Sequence, residues 1–387
     1  MMRFYRLSML FLMGLGLLTC EKDLTVEDLR TEAIETYAQI VYASYEDSYS
    51  TALNLQKVIN AFVASPTEAG FQACKDAWKA ARIPYGQTEV YRFYGGPIDD
   101  DNGPEGLINS WPLDESYIDY VQGNESAGII NKVATYPNIS KDLLRSLNQT
   151  GGVTEEQSEV NVATGYHAVE FLLWGQDFNA SGPGSRSYKE YLSTGGTANN
   201  QARRGQYLKV VTELLVEDLK SVLDEWKPGA AYRKEFTETT DAREILGRIF
   251  TGLGEMSKGE LAGERMFVAV DSKDQENEHS CFSDNTHIDI QMNFLGIKNI
   301  LEGAYTRTDR SKVTGRSFLS IGNDLDGTKT TAVKTALSNT VTKLNQIPIP
   351  FDQAILNKPD VVLSASESLK QLSDRISDLA LVLGAKF

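Results

Sequence analysis

Basic charge, cysteine and histidine are all scarce in this sequence. Across 387 residues, 38 Lys and Arg face 53 Asp and Glu, giving a net charge of −15. That balance repels nucleic acid and anionic lipid surfaces, so neither is expected as a partner, whereas cations are. The cysteines are three, Cys20, Cys74 and Cys281, and none has a CxxC spacing, which argues against a thiolate metal cluster or a thioredoxin-type redox pair. Whether Cys74 and Cys281 pair or stay free is open at this level. HExxH is absent, which excludes an ordinary zincin, and there is no GxSxG, no Walker A, no CxxCH and no GxGxxG behind a strand. What remains is ordinary globular composition, 41% hydrophobic and 24% charged. The length calls for one large domain or two packed ones.

The longest apolar run lies at the start. Arg3 and Arg6 precede a run over residues 7–18 that is too short to span a bilayer, as in an export signal. It ends in Leu17-Leu18-Thr19-Cys20, which resembles the lipobox of bacterial lipoproteins. Residues 1–19 are therefore expected as a signal peptide and Cys20 as a lipidated N-terminus. Residues 20–29 would form a tether, and the location would be the bacterial envelope, on the periplasmic or surface face of the outer membrane. Loss of Arg3 and Arg6 takes the mature chain to −17.

Nearly every ordered stretch has helical periodicity, and the fold is expected to be all-α. Thr25 to Asp28 opens a first helix running to Ala64. Ser65-Pro66-Thr67-Glu68 has the composition of a capping box, with Ser65 as the N-cap. Helices are further expected over 206–226, 241–270, 329–347 and 364–383. Glycines 247, 252, 254, 259 and 263 fall within one of them and read as close helix packing. An acidic loop carries Asp99, Asp100 and Asp101. The glycine- and proline-rich stretch 179–201 is the strongest boundary, dividing residues 30–385 into halves of about 30–195 and 196–385.

Only three histidines are available for chemistry, His167, His279 and His287. His167 and Glu170 form a GxHxxE pattern with Gly165, and spacing of three places imidazole and carboxylate on one helix face. They could share a cation, or Glu170 could orient the ring. The apolar run Phe171 to Trp174 that follows implies a partly buried helix, where an unpaired polar pair is costly. A second donor-rich stretch runs from Asp274 to His287 and includes Glu278, His279, Ser280 and Asp284; its oxygen and imidazole groups suit iron, manganese, zinc or calcium. Glu89, Asp114 and Glu115 supply further carboxylates near aromatics.

Together these blocks resemble one family, the imelysin or M75 family, also called insulin-cleaving metalloproteinase-like. The resemblance rests on four stretches in order. They are Gly165, His167 and Glu170 with LLWGQD after them; WKAARIPYGQTE over 78–89; NSWPLDE over 109–115; and Glu260 to Met266 leading into Glu278-His279-Ser280-Cys281-Phe282-Ser283-Asp284. It implies an all-helical fold of two bundle-like halves with a site between them. It also implies His167 and Glu170 as the metal-binding pair, and a place among envelope proteins linked to iron uptake, some described as metallopeptidases. Three functions follow as expectations. The first is an anchored metal-binding protein, iron before zinc, working with iron-transport components. The second is a metallopeptidase with Glu170 or Glu278 as base. The third is a haem or ligand-binding module without chemistry.

Overall fold

The computed structural model describes residues 24–148 and 161–387. The signal peptide and Cys20 lie outside the described residues. The fold is all-α: among the described residues the one sheet is a two-stranded antiparallel pair, Ala304–Thr306 with Lys312–Thr314. Among the described residues no helix is long and apolar enough to cross a membrane.

A first bundle is built on α1 (Val26–Ala64), α2 (Glu68–Thr88), α3 (Gly165–Trp174) and α4 (Gln201–Trp226). Thr25 caps α1 in a capping box with Asp28, so the helix begins inside the stretch expected as tether. The cap of α2 is Thr67, whose hydroxyl accepts from the Gly70 amide at 3.1 Å, rather than Ser65. Ser65 instead closes α1, its amide donating to Ala61 and Phe62 carbonyls, and three residues, 65–67, separate the helices. The tryptophan ending α4 packs against Tyr37 of α1, ring centroids 6.1 Å apart. Helix α4 thus joins the first bundle although it lies past the boundary read near residue 195.

A second bundle comprises α5 (Ala242–Glu255), its continuation Met256–Phe267 wound as a π-helix, α7 (Gly327–Leu344) and α8 (Pro359–Val382), with α6 (Thr286–Glu302) running between the bundles. Close packing accounts for two of the five glycines in 247–263. A Cβ on Gly252 would stand 2.7 Å from the Val90 carbonyl, and one on Gly247 would overlap that of Lys386. Cys74 and Cys281 are both buried free thiols.

Candidate metal centre between the bundles

Helix α3 is apolar on nearly every side, so all ten of its residues are buried, including His167 and Glu170. Gly165 starts it at φ +86°, where a side chain would also collide with the Ile108 carbonyl, 2.5 Å from an added Cβ. That contact seats α3 against the 105–109 turn and sets the direction of His167. The ring Nδ1 and a Glu170 oxygen share a hydrogen bond of 2.9 Å. The other Glu170 oxygen accepts from the Ser283 hydroxyl at 2.6 Å and its amide at 3.0 Å. Burial pushes Glu170 up to about 8, against the pull of Ser283. Burial, with His279 and Arg82 nearby, holds His167 well below its usual value. The pair is therefore a neutral imidazole against a carboxyl with one proton between them, not an ion pair.

His279 repeats the arrangement from the other side. Its Nδ1 lies 2.9 Å from Asp289 on α6, and Asp289 also accepts from Ser280 and from Arg82 Nε at 3.2 Å. Burial, followed by Arg265, lowers His279 too. With the proton on Nδ1, its Nε2 lone pair faces the Asn109 amide at 3.4 Å, a weak contact. The two imidazoles meet edge to face, centroids 4.8 Å apart, with Trp111 beside His167 at 4.9 Å. His167 Nε2 is buried without any hydrogen-bond partner.

Behind His279, charge is balanced by arginine. Glu89, at the end of α2, accepts from Arg265 of the π-helical stretch, from Asn293 at 3.1 Å and from Asn109 at 3.3 Å. Burial alone would raise its pKa, but Arg265 and Arg82 hold it down to about 2. A cavity of about 520 Å³ opens over this floor, lined by Arg92, Glu105, Asn109, Trp111, Arg265 and His279 among others.

The expected residues thus divide. His167, Glu170, Glu89, His279 and Ser280 come together. Asp114 instead caps the turn Glu115–Ile118, accepting from the Ser116 amide at 2.8 Å. Glu115 is half-buried in that turn, and burial raises its pKa. Glu278 faces away from His279, burial and the repulsion of Asp352 pushing it up to about 9, and Asp284 lies with it, raised to about 7. Sequence reasoning did not single out Arg82, Asn109, Arg265, Ser283, Asp289 and Asn293 as site residues. One signal was there: Asp289 and Asn293 stand four apart on an otherwise apolar face of α6, a buried polar stripe at helical spacing.

For a metal ion the donor set is half complete. Both histidines have Nδ1 tied to a carboxyl group, the arrangement that orients imidazole Nε2 toward a metal. As arranged, however, no three His, Cys, Asp or Glu side chains among the described residues could hold one ion together. Glu89 and Asp289 already face arginines, and both Glu170 oxygens are taken.

Comparison with known proteins bears on the whole chain. It is 25% identical over 275 residues to iron-regulated protein A of Synechococcus elongatus, covering 68% of this chain. The match spans about three-fifths of that relative, 62% of its length. In fold it is similar to an iron-regulated protein A precursor of Parabacteroides distasonis, with TM-score 0.70 at 19% identity, covering 94% of this chain and 97% of that one. An imelysin-like protein of Psychrobacter arcticum superposes with TM-score 0.58 at 14% identity, over 94% and 98%. The sequence profile described as imelysin, peptidase M75, matches residues 41–379, and the chain accordingly belongs to the imelysin family.

Proposed function

We propose that this protein captures a metal ion, iron in the first place and zinc second, as cargo at the His167–His279 pair. In this reading it does so as a bacterial envelope lipoprotein anchored through Cys20 and serving iron-transport components. The observation that carries the proposal is His167 Nε2, a buried ring nitrogen with no partner, on a histidine whose Nδ1 is already fixed by Glu170. A cation at Nε2 favours the proton on Nδ1, so that Glu170 accepts it, and the carboxyl group orients the ring. Glu170 then acts behind the imidazole rather than on the metal. Two protein nitrogens leave most of the coordination sphere to water or to a chelating anion held in the adjoining cavity, where Arg92 and Arg265 stand. The relative named for iron regulation supports iron over other cations.

A metallopeptidase needs a carboxylate that can reach a water. Glu170 is buried with both oxygens engaged, and Glu278 is buried as well, so neither carboxyl group expected as base favours that alternative.

The test is metal binding by full-length protein stripped of metal, titrated with Fe(II), Fe(III) and Zn(II) and followed by calorimetry and metal analysis. His167→Ala should weaken binding by well over about 100-fold, beyond the range typical of residues that merely orient a ligand. Equal iron and zinc binding by the parent and a His167→Ala/Glu170→Ala double variant would overturn the proposal.

A further inference from the structure

The cavity between the bundles stops one side chain short of His167. His279 and Trp111 line it, and His167 does not. Both of those rings rest on His167, with centroids 4.8 and 4.9 Å from its own. His167 Nε2, buried and without a partner, is therefore shut off from the open space by His279 and Trp111.

The two rings are held very differently. His279 Nδ1 lies 2.9 Å from Asp289 and 3.4 Å from Arg82, and the Asn109 amide covers its Nε2 at 3.4 Å. Asn109 is itself pinned, accepting from Arg82 at 2.5 Å and donating to Glu89 at 3.3 Å. Trp111 is held by ring contacts instead, against His167 and edge-on to Phe282 at 5.7 Å. It is half-buried, and Pro112 after it is exposed. The chain is anchored on either side. Before Trp111, the Gly106 carbonyl accepts from Ser110 Oγ and Asn148 Nδ2, both at 2.9 Å, and the Leu107 carbonyl from Thr164 at 3.0 Å. After it, Asp114 caps the turn Glu115–Ile118. Among the described residues, no main-chain carbonyl accepts from the amides of Ser110, Trp111 or Leu113. A stretch bonded at both ends and unbonded between them is where movement costs least.

We propose that Trp111 is a gate: its indole swings off His167 to open a path from the cavity to Nε2, and closes behind what enters. The cavity of about 520 Å³ leaves room for the swung ring. Asn109 and His279 stay in place beside the opening, so what passes is small, an ion with its inner waters. That the traveller is an ion rests on the reading of His167 as its seat; the closure of the path does not. A gate that shuts equally over an empty and a filled seat slows entry and exit by one factor and leaves affinity alone. The imidazoles then set how tightly the ion is held, and Trp111 sets how long.

The experiment treats full-length, metal-free protein with diethyl pyrocarbonate, which acylates neutral imidazole, and reads the three histidines separately by peptide mass spectrometry. Trp111→Ala should raise the rate at His167, relative to His287, at least about tenfold. Trp111→Leu, which keeps more bulk and guards against a variant that fails to fold, should fall between. Phe171→Ala removes a buried ring from the same helix without touching the cavity wall, and should leave His167 protected. Stopped-flow uptake and chelator-driven release of Zn(II) should both quicken in Trp111→Ala, with Kd kept within about threefold. Equal reactivity of His167 in the parent and Trp111→Ala, or equal exposure by Phe171→Ala, overturns the gate. So does zinc exchange at unchanged rates in Trp111→Ala. If Trp111→Ala exposes His167 while the parent binds no ion, the gate stands and the metal reading falls.

Discussion

Glu170 is held from two directions: by His167, three residues before it on the same helix, and by Ser283, 113 residues later. One carboxyl group thus ties the first bundle to the segment that carries His279. Changes at Ser283 should be felt at His167 without touching it.

Ser283→Ala removes the 2.6 Å hydroxyl bond but leaves the amide donor. A stability loss of about 1–2 kcal/mol is expected from urea unfolding, the cost of one bond to a buried carboxyl group. Glu170→Gln should weaken metal binding by roughly 10–100-fold, less than His167→Ala, because it disturbs orientation and leaves the ligand. If the two variants lose affinity equally, Glu170 belongs on the metal.

Arg265→Met leaves Glu89 buried beside the remaining arginines, its strongest partner gone. Unfolding free energy should fall by about 3–5 kcal/mol, the range for breaking one side of a buried pair. Adding Glu89→Gln should restore much of it. A double variant no more stable than Arg265→Met alone would mean the arginine acts through packing instead.

Acid should unfold the protein through Asp119. It accepts from Arg204 at 2.7 and 2.9 Å and from Arg186 at 2.6 Å. Burial would raise its pKa, but the two arginines lower it from 3.8 to about 2. A lowered carboxyl pKa means the folded state binds protons less readily than the unfolded one. The stability it contributes, about 2 kcal/mol, is present above pH 4 and lost as pH falls through 2. Comparing the pH dependence of unfolding in the parent and Asp119→Asn should show the slope between pH 4 and 2 reduced in the variant.

Cys20 carries the prediction on location. Cys20→Ala should yield unprocessed or soluble protein, where the parent partitions with membranes and shows a lipid-modified N-terminal peptide by mass spectrometry. An unmodified N-terminus downstream of Cys20 in the parent excludes the anchor.

Helices announce themselves by periodicity and caps, which is why the all-α character, the extent of α1 and the C-terminal ends of α4 and α8 are legible in the sequence. Helices α4 and α8 each begin five residues earlier than expected. The site is legible where residues are local: His167 and Glu170 meet because spacing three forces it. His279 was visible as a donor, yet nothing in the sequence shows that its Nδ1 turns to Asp289. That choice depends on which bundle each face of an extended segment meets. Arg82 and Arg265 were invisible as site residues for a related reason. Charge reads as surface until tertiary packing buries it, and only the completed pairing with Glu89 and Asp289 makes that burial affordable.

The π-helical winding of Met256–Phe267 has a consequence for length. Each residue of an α-helix turns the chain by about 100°, and a π-helix spreads its turns over more residues. Arg265 reaches Glu89 and Asn293 from within that wider winding. Deleting a single residue between 256 and 264 should let the stretch rewind as α-helix and carry Arg265 around the axis, away from its partners, while α8 keeps its place beside it. Elsewhere on an exposed loop a one-residue deletion is a minor event; here it is expected to act like the loss of the arginine itself.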